Sequence, residues 1–241
     1  MLILLFIILH WYLSLFGQTF FLHRYGAHKM FTMNKFWEKY FYLYTWITQG
    51  SSYLNARAYA ILHRMHHAYS DTEKDPHTPH FFKDAYSMMM HTRKIYNDVL
   101  NKRVVIEDKF DRNFPEYPKI DRIADNGYVR LLFALGYIAF YIVFATQWWM
   151  FLFLPFHFFI GPIQGAIVNW AGHKYGYRNF NDSDKSKNSL FWDVLLMGEL
   201  FQNNHHHAGS KPNFATKWFE FDPTYPIIWF FSKIGIIKMV R

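Results

Sequence analysis

The stretch 131-LLFALGYIAFYIVFATQWWMFLFLPFHFFIGPIQGAIVNWAGH-173 decides what kind of fold this chain can have, because it contains no Asp, Glu, Lys or Arg. A helix needs about 20 mostly apolar residues, at about 1.5 Å each, to cross a hydrocarbon layer about 30 Å thick. The stretch is long enough for two crossings, expected over about 130–147 and 150–169. Between them, 146-TQWWM-150 suits a tight turn at an interface, where Trp is enriched. Pro162 and the nearby glycines are expected to kink the second helix.

Working outward, residues 1–22, MLILLFIILHWYLSLFGQTFFL, are equally free of charge and supply a third span. A cleaved signal peptide would carry a basic leading region and a small-residue cleavage site, and neither is present. All 26 Lys and Arg therefore lie in 24–130 and 174–241. That distribution reads the net charge of +8 as the positive-inside bias of a membrane protein, with no nucleic acid as partner. Three spans put both charged stretches on one side, which the bias makes cytoplasmic, with Met1 outside. An integral protein of a bacterial inner membrane is expected.

The segment 40-YFYLYTWITQGSSYLNA-56 is short and rich in hydroxyls and amides, with Glu38, Lys39 and Arg57 at its edges. Residues 36–56 are therefore expected to lie in the interface without crossing. Residues 57–129 and 174–241 are expected to form a cytoplasmic helical cap, with the tail 226-PIIWFFSKIGIIKMV-240 on the membrane surface. The expected fold is all-α: a single membrane domain over 1–241, with about three spans plus interfacial helices under that cap.

The chain has no cysteine, which removes disulfides, thiolate zinc sites, iron–sulfur clusters and covalent haem. It has 14 histidines, and most are grouped: 23-HRYGAH-28, 63-HRMHH-67, His173 in 169-NWAGH-173, and 205-HHH-207. Each group follows a hydrophobic segment on the charged side. At about 100° per residue, His63, His66 and His67 fall within one wedge of a helix, and the neighbours His66 and His67 are expected to face different metals. His23 and His28 come out about 140° apart and are expected to bracket a cavity rather than share one ion. For all groups to meet, an even number of crossings must separate them, which agrees with the hydropathy.

Imidazole suits iron, zinc, copper and nickel. A catalytic zinc needs three protein ligands, a b-type haem two, and there is no H-E-x-x-H. Eight or nine histidines fit a pair of irons with about four nitrogens each and room for O2.

The order H-x4-H, H-x2-H-H, N-x3-H, x-N-x-H-H resembles the membrane-bound acyl desaturases of the stearoyl-CoA, delta-9 type, in a bacterial-like variant. The likeness includes 63-HRMHHAYSDTEKDPH-77, 169-NWAGHKYGYR-178 and 198-GELFQNNHH-206 and covers about residues 15–225. It implies a diiron centre that uses O2 and two delivered electrons to introduce a double bond into a fatty acyl chain, in unsaturated fatty acid biosynthesis. It implies His23, His28, His63, His66, His67, His173, His205 and His206 as ligands, with Asn169 reaching an iron through water. It also implies an acyl tunnel at the irons.

Three departures qualify the resemblance. Family members often have one more span before the helix that ends in the first histidine box; this chain starts inside what resembles the second. The animal acyl-CoA enzymes carry Trp, Arg and Asp before the second box, where 58-AYAIL-62 stands here, so the head group is left open between coenzyme A, a carrier protein and a lipid. Gln202 replaces the first histidine of the last box. It is a possible weak or water-mediated ligand, and His207 would enter only if the box were read one residue later.

Asp71, Asp75, Glu199 and Asp193 are candidates for holding the outer imidazole nitrogens. His77, His10, His80, His91 and His157 are expected to be structural. A separate ferredoxin-like or cytochrome b5-like electron donor is expected, with membrane lipids as surroundings. The competing readings are a diiron hydroxylase on the same site, a histidine-rich metal transporter, and a b-type haem electron carrier.

Overall fold

The structure is a computed structural model, and residues 1–240 are described. Helix α1 (Leu2–Phe16) continues without a break into a π-helical segment, Gly17–Ala27. Together they form a 26-residue rod, longer than the expected span 1–22 and apolar enough to cross a membrane. Its first half turns Leu4, Leu5, Leu9 and Leu13 outward. Its second half is buried throughout, polar side chains included.

The chain then turns through a short strand, β1 (Phe31–Met33), into α2 (Lys35–Gln49). Asn34 caps α2 by accepting from Trp37 N at 3.0 Å. Residues 36–56 were expected to lie in the interface without crossing. Helix α2 packs antiparallel along the rod. Phe21 meets Tyr42, Phe20 meets Phe41, and Tyr44 Oη donates to Leu13 O at 3.0 Å. The reason is a row of large aromatics on α2 that fits against Phe16, Phe20 and Phe21. The chain turns at Gly50–Ser52 and comes back as α3 (Ala56–Tyr69), capped by Asn55.

Helix α4 (Ala85–Leu100) covers α3, with Val99 packed on Ala58, Ile61 and Leu62. After α5 (Pro118–Ala124), α6 (Gly127–Phe144) is the second helix long and apolar enough to cross. Only Tyr137 and Tyr141 of α6 are buried; its leucines and valines face outward.

The expected span 150–169 is not one straight helix. A 3-10 turn (Trp148–Phe153) and α7 (Leu154–Phe158) meet α8 (Ile160–Lys174) at a bend of 71°. The break falls at Phe159, before the proline expected to cause a kink. Pro162 lacks an N–H, and its ring excludes the carbonyl four residues earlier. That carbonyl is Phe158 O, which accepts from Ser51 Oγ at 3.2 Å, while Gly161 N donates to Ser52 Oγ at 3.1 Å. The turn after α2 thus satisfies both sides of the break, as a low-dielectric setting demands.

Short α9 (Gln202–His207) and α10 (Thr224–Lys233) follow, and β2 (Ile237–Met239) closes an antiparallel ladder on β1, Phe31 opposite Met239. This small sheet was not expected. Nor was the pairing of His10 with His157, whose Nδ1 atoms lie 2.7 Å apart, with Tyr141 Oη 2.9 Å from His157 Nε2. Both imidazoles are buried and tie α1, α6 and α7 together.

Candidate metal centre

Four elements deliver histidines to one end of the bundle. The π-segment carries His23, the turn after it His28, α3 carries His63, His66 and His67, the end of α8 His173, and α9 His205 and His206. They divide into two adjoining groups. One nitrogen each of His23, His28, His63, His67 and His205 lies within 4.8 Å of the others, and the same holds for His66, His173 and His206. His66 and His67 go to different groups, as their spacing suggested. His67 and His206 stack at 4.3 Å where the groups meet.

His23 and His28 share a group, contrary to the α-helical estimate that set them about 140° apart. The difference is the π-helix. Its i→i+5 hydrogen bonding places residues five apart above one another. His28 N donates to His23 O at 3.1 Å, and the two rings lie 5.0 Å apart.

Carboxylates hold the outer nitrogens. His66 Nδ1 is 2.9 Å from Asp75, His173 Nδ1 3.0 Å from Asp71, and His206 Nδ1 2.9 Å from Asp184. His23 Nδ1 sits 2.6 Å from Glu199 Oε2, off the line of a straight N–H···O bond. Burial pushes the carboxyls of Asp71, Asp75 and Asp184 up, but their histidines outweigh it and hold all three well below the usual carboxylate range. Burial holds His28, His63, His67 and His205 below the ordinary histidine value, and neighbouring histidines add to it. These imidazoles are neutral at pH 7 and ready to donate lone pairs.

The inner nitrogens then face each other. Nε2 of His66 and Nε2 of His206 are 3.1 Å apart, and those of His28 and His63 are 2.7 Å apart. A neutral imidazole that gives its Nδ1–H to a carboxylate presents a bare lone pair at Nε2. In the His66–His206 pair, where Asp75 and Asp184 take the Nδ1–H, two such lone pairs would repel at this distance unless a cation lay between them. The donor set therefore fits transition metals, with a five-nitrogen group beside a three-nitrogen group.

Asp184 was missed by sequence reasoning; its only signal is the acidic run 182-DSD-184 after His173. Asp193 does not orient a histidine. Its carboxylate accepts from Leu196 N and Leu200 N, 2.9 and 2.8 Å away. Gln202 is buried at the start of α9. Its Nε2 donates to Glu199 O at 2.6 Å, and it presses on Gly172, where a Cβ would stand 2.4 Å from Gln202 Cγ. His207 points away, stacked 3.7 Å from Phe180 with Nδ1 near Asp182. Asn169 is half-buried on α8, one turn before His173. His77 is buried beside His66, rings 4.4 Å apart, and its Nε2 has no hydrogen-bond partner among the described residues. His80 lies near Asp71, and His91 packs on Phe82.

The asparagines of 202-QNNHHH-207 hold α9 in place. Asn203 Oδ1 accepts from the backbone of Asn179 and Phe180, and Asn204 bonds to Asn188, Asn179 and Glu220. Arg24, fully buried, donates to Glu199 at 3.0 Å and Asp222 at 2.8 Å and lies over Phe214.

A mainly helical bundle with two helices long and apolar enough to cross a membrane thus gathers eight histidines at one end. The model of the fatty acid desaturase family matches residues 1–229, and the chain belongs to that family. It is similar to the sn-1 stearoyl-lipid 9-desaturase of Synechocystis sp., 30% identical over 237 residues, covering 93% of this chain and 67% of the relative. It is also similar to the sn-1 stearoyl-lipid 9-desaturase of Anabaena variabilis, at 27% with 98% and 82% covered, and to the Delta-9 acyl-lipid desaturase 1 of Arabidopsis thaliana, at 25% with 93% and 70%. The protein is a membrane-bound oxidoreductase that acts on fatty acyl chains, a fatty acyl desaturase. Neither the hydroxylase nor the transporter reading finds support in these relatives.

Proposed function

We propose that the two histidine groups hold a pair of iron ions and that the enzyme places a double bond at carbon 9 of an acyl chain esterified to a membrane lipid. The observation that carries the metal reading is the convergence of imidazole nitrogens from eight histidines into two adjoining groups. When bound, the iron pair supplies the power, with O2 and two electrons, to remove hydrogens from an unactivated chain. The reaction balances as –CH2–CH2– plus O2, two electrons and two protons giving –CH=CH– and two waters.

The chain's own residues position and exclude. Asp75, Asp71 and Asp184 accept the Nδ1–H of their imidazoles and so fix ring direction, and Glu199 sits beside Nδ1 of His23. Gln202 stands where the last box of the family has its first histidine, which leaves the His66–His173–His206 group with the more open position.

Two observations favour a lipid over coenzyme A. The relatives reported above are named for lipid-linked chains. In addition, 58-AYAIL-62 has no charge to meet a phosphate, and Ala58, Ala60, Ile61 and Leu62 are all buried. The electrons are delivered by a separate ferredoxin-like or cytochrome b5-like protein, attracted as an acidic partner to the basic side of the membrane. The metal centre lies on the cytoplasmic side of the inner membrane of a bacterium.

The test is expression with a ferredoxin system in a host without desaturases, followed by mass spectrometry of intact lipids for double-bond and glycerol position. Metal analysis should give two irons per chain. Unchanged lipids around an iron-loaded protein with a working donor would sink the substrate reading.

A further inference from the structure

The segment 190-LFWDVLLMGEL-200 joins the last part of the cap to α9, and it is built the opposite way round from a water-facing loop. Both its charged side chains are inside: Asp193 and Glu199 are buried. The large apolar side chains of its first half are outside: Trp192 is 70% exposed, Leu195 51% and the adjoining Trp218 95%. Phe191, Trp192, Trp218 and Phe219 line one open apolar groove.

The backbone of this segment satisfies itself. The Asp193 carboxylate takes Leu196 N and Leu200 N, and Gly198 N donates to Asp193 O at 3.0 Å. Asp193 N and Phe221 O, then Phe221 N and Phe191 O, pair it with the neighbouring strand of chain. Trp192 Nε1 donates to Phe219 O, and Thr224 Oγ1 to Met197 O. Gly198 is in the left-handed region at φ +94°, and a Cβ there would stand 2.2 Å from Asp222 Oδ1, so the tight return needs glycine. Irregular chain that keeps its polar groups inward is what a hydrocarbon setting requires and what water does not.

Depth is fixed by a contact with the first helix. Trp11 Nε1 donates to Leu195 O at 2.9 Å, and Leu196, Met197 and Leu200 pack on Trp11 and Leu15 of α1 and Val168 of α8. Trp11 lies about three turns below His23 on the rod, with Leu9 and Leu13 exposed on either side of it in the chain. The outward face of the segment is thus continuous with the outward face of α1.

We infer that residues 190–195, with Trp218, form a membrane-immersed surface of this enzyme whose partner is the acyl-chain region of the bilayer. The inference rests on the first helix crossing the membrane, not on which metal is bound. The immersed segment leads within a few residues to Glu199, which touches His23 Nδ1, so the lipid phase borders the metal centre along this edge.

The chain has no cysteine, so single cysteines can be placed and labelled uniquely. The full-length protein, one chain per nanodisc, is labelled with an environment-sensitive fluorophore at Trp192→Cys, Val194→Cys, Leu195→Cys or Trp218→Cys. Leu9→Cys on α1 and Val105→Cys in the cap serve as references. The expected result is blue-shifted emission at 192, 194, 195 and 218, quenched by nitroxide-labelled lipid as strongly as at 9 and by iodide far less than at 105. Iodide quenching like that at 105 overturns the inference, as does shielding that appears only when a disc holds two chains, which would mean a second copy covers the face. Lack of lipid quenching at 9 itself would instead overturn the span reading. Retained iron binding in each variant shows that it has folded.

Discussion

Glu199 lies 2.6 Å from His23 Nδ1 through Oε2 and 3.0 Å from Arg24 Nη1 through Oε1, and so links an imidazole of the five-histidine group to a buried guanidinium. Thr19 also donates to the same carboxylate. Removing it frees the His23 ring and leaves Arg24 with Asp222 as its one acidic partner. Glu199→Ala should lower metal affinity about 10–100-fold. It should also cost about 3–5 kcal/mol of stability, because a buried charge loses a partner. Metal titration and thermal unfolding check the two effects. Undiminished metal affinity would show that Glu199 serves Arg24 alone.

Gln202→His should add a nitrogen to the group that has three. The metal held by His66, His173 and His206 should then survive longer dialysis against a chelator. The measurement is iron per chain against time, wild type beside variant. Identical curves would mean that position 202 cannot reach the ion. Gly172→Ala, by crowding Gln202 Cγ, should reduce retention of the same ion.

His207 stacks on Phe180 outside both groups, whereas His206 lies between His66 and His173. His207→Ala should keep its full iron complement, and His206→Ala should lose one ion. Equal losses in both variants would bring back the reading in which the box is shifted by one residue.

The His10–His157–Tyr141 chain of hydrogen bonds is far from the metal groups. His157→Leu leaves buried polar groups on α1 and α6 unpaired, at a cost of about 1–3 kcal/mol. Stability in detergent should fall while iron content stays the same. A joint loss of iron would show that the bend between α7 and α8 is coupled to the site.

Protons compete with metal for imidazole lone pairs, and the direction of each shift gives an order. Burial lowers His28, His63, His67 and His205, so each stays neutral below the ordinary histidine pH. Burial also pulls His66 down, but the Asp75 carboxylate outweighs it and the net shift is upward. A raised group takes up its proton first as pH falls. His206 of the same group is lowered to about 4, mainly by burial, so acidification below neutrality should act first on His66 and loosen the ion of the three-histidine group there before the five-histidine group responds. Iron content across a pH series, with Asp75→Asn as comparison, tests this. Simultaneous release would sink the ordering.

The spans were legible because charge is excluded from them over long runs, as in 131–173, and that signal needs no tertiary information. The convergence of the histidines was legible for a similar reason: i, i+3 and i+4 spacing in 63-HRMHH-67 is a property of one helix. What stayed hidden depends on packing between distant segments. The π-helix at 17–27 shows no pattern of its own in the sequence, so the angle between His23 and His28 came out wrong. The aromatic row of α2 could meet lipid or another helix, and its contacts with Phe20 and Phe21 show only in the packed structure. Asp184 is close to His206 in space but lies in a loop whose course no periodicity reveals, whereas Asp75 follows its histidine closely enough to be guessed.

The unequal division of the histidines also bears on how the enzyme matures. Four of the five nitrogens of the larger group come from His23, His28, His63 and His67, all made before α6 leaves the ribosome. The smaller group has only His66 by then, and awaits His173 and His206 from beyond the second membrane passage. If the two groups hold the proposed pair of ions, most ligands of the first are translated before α6, whereas those of the second are complete only with α9. Under iron limitation, chains carrying one ion should then accumulate.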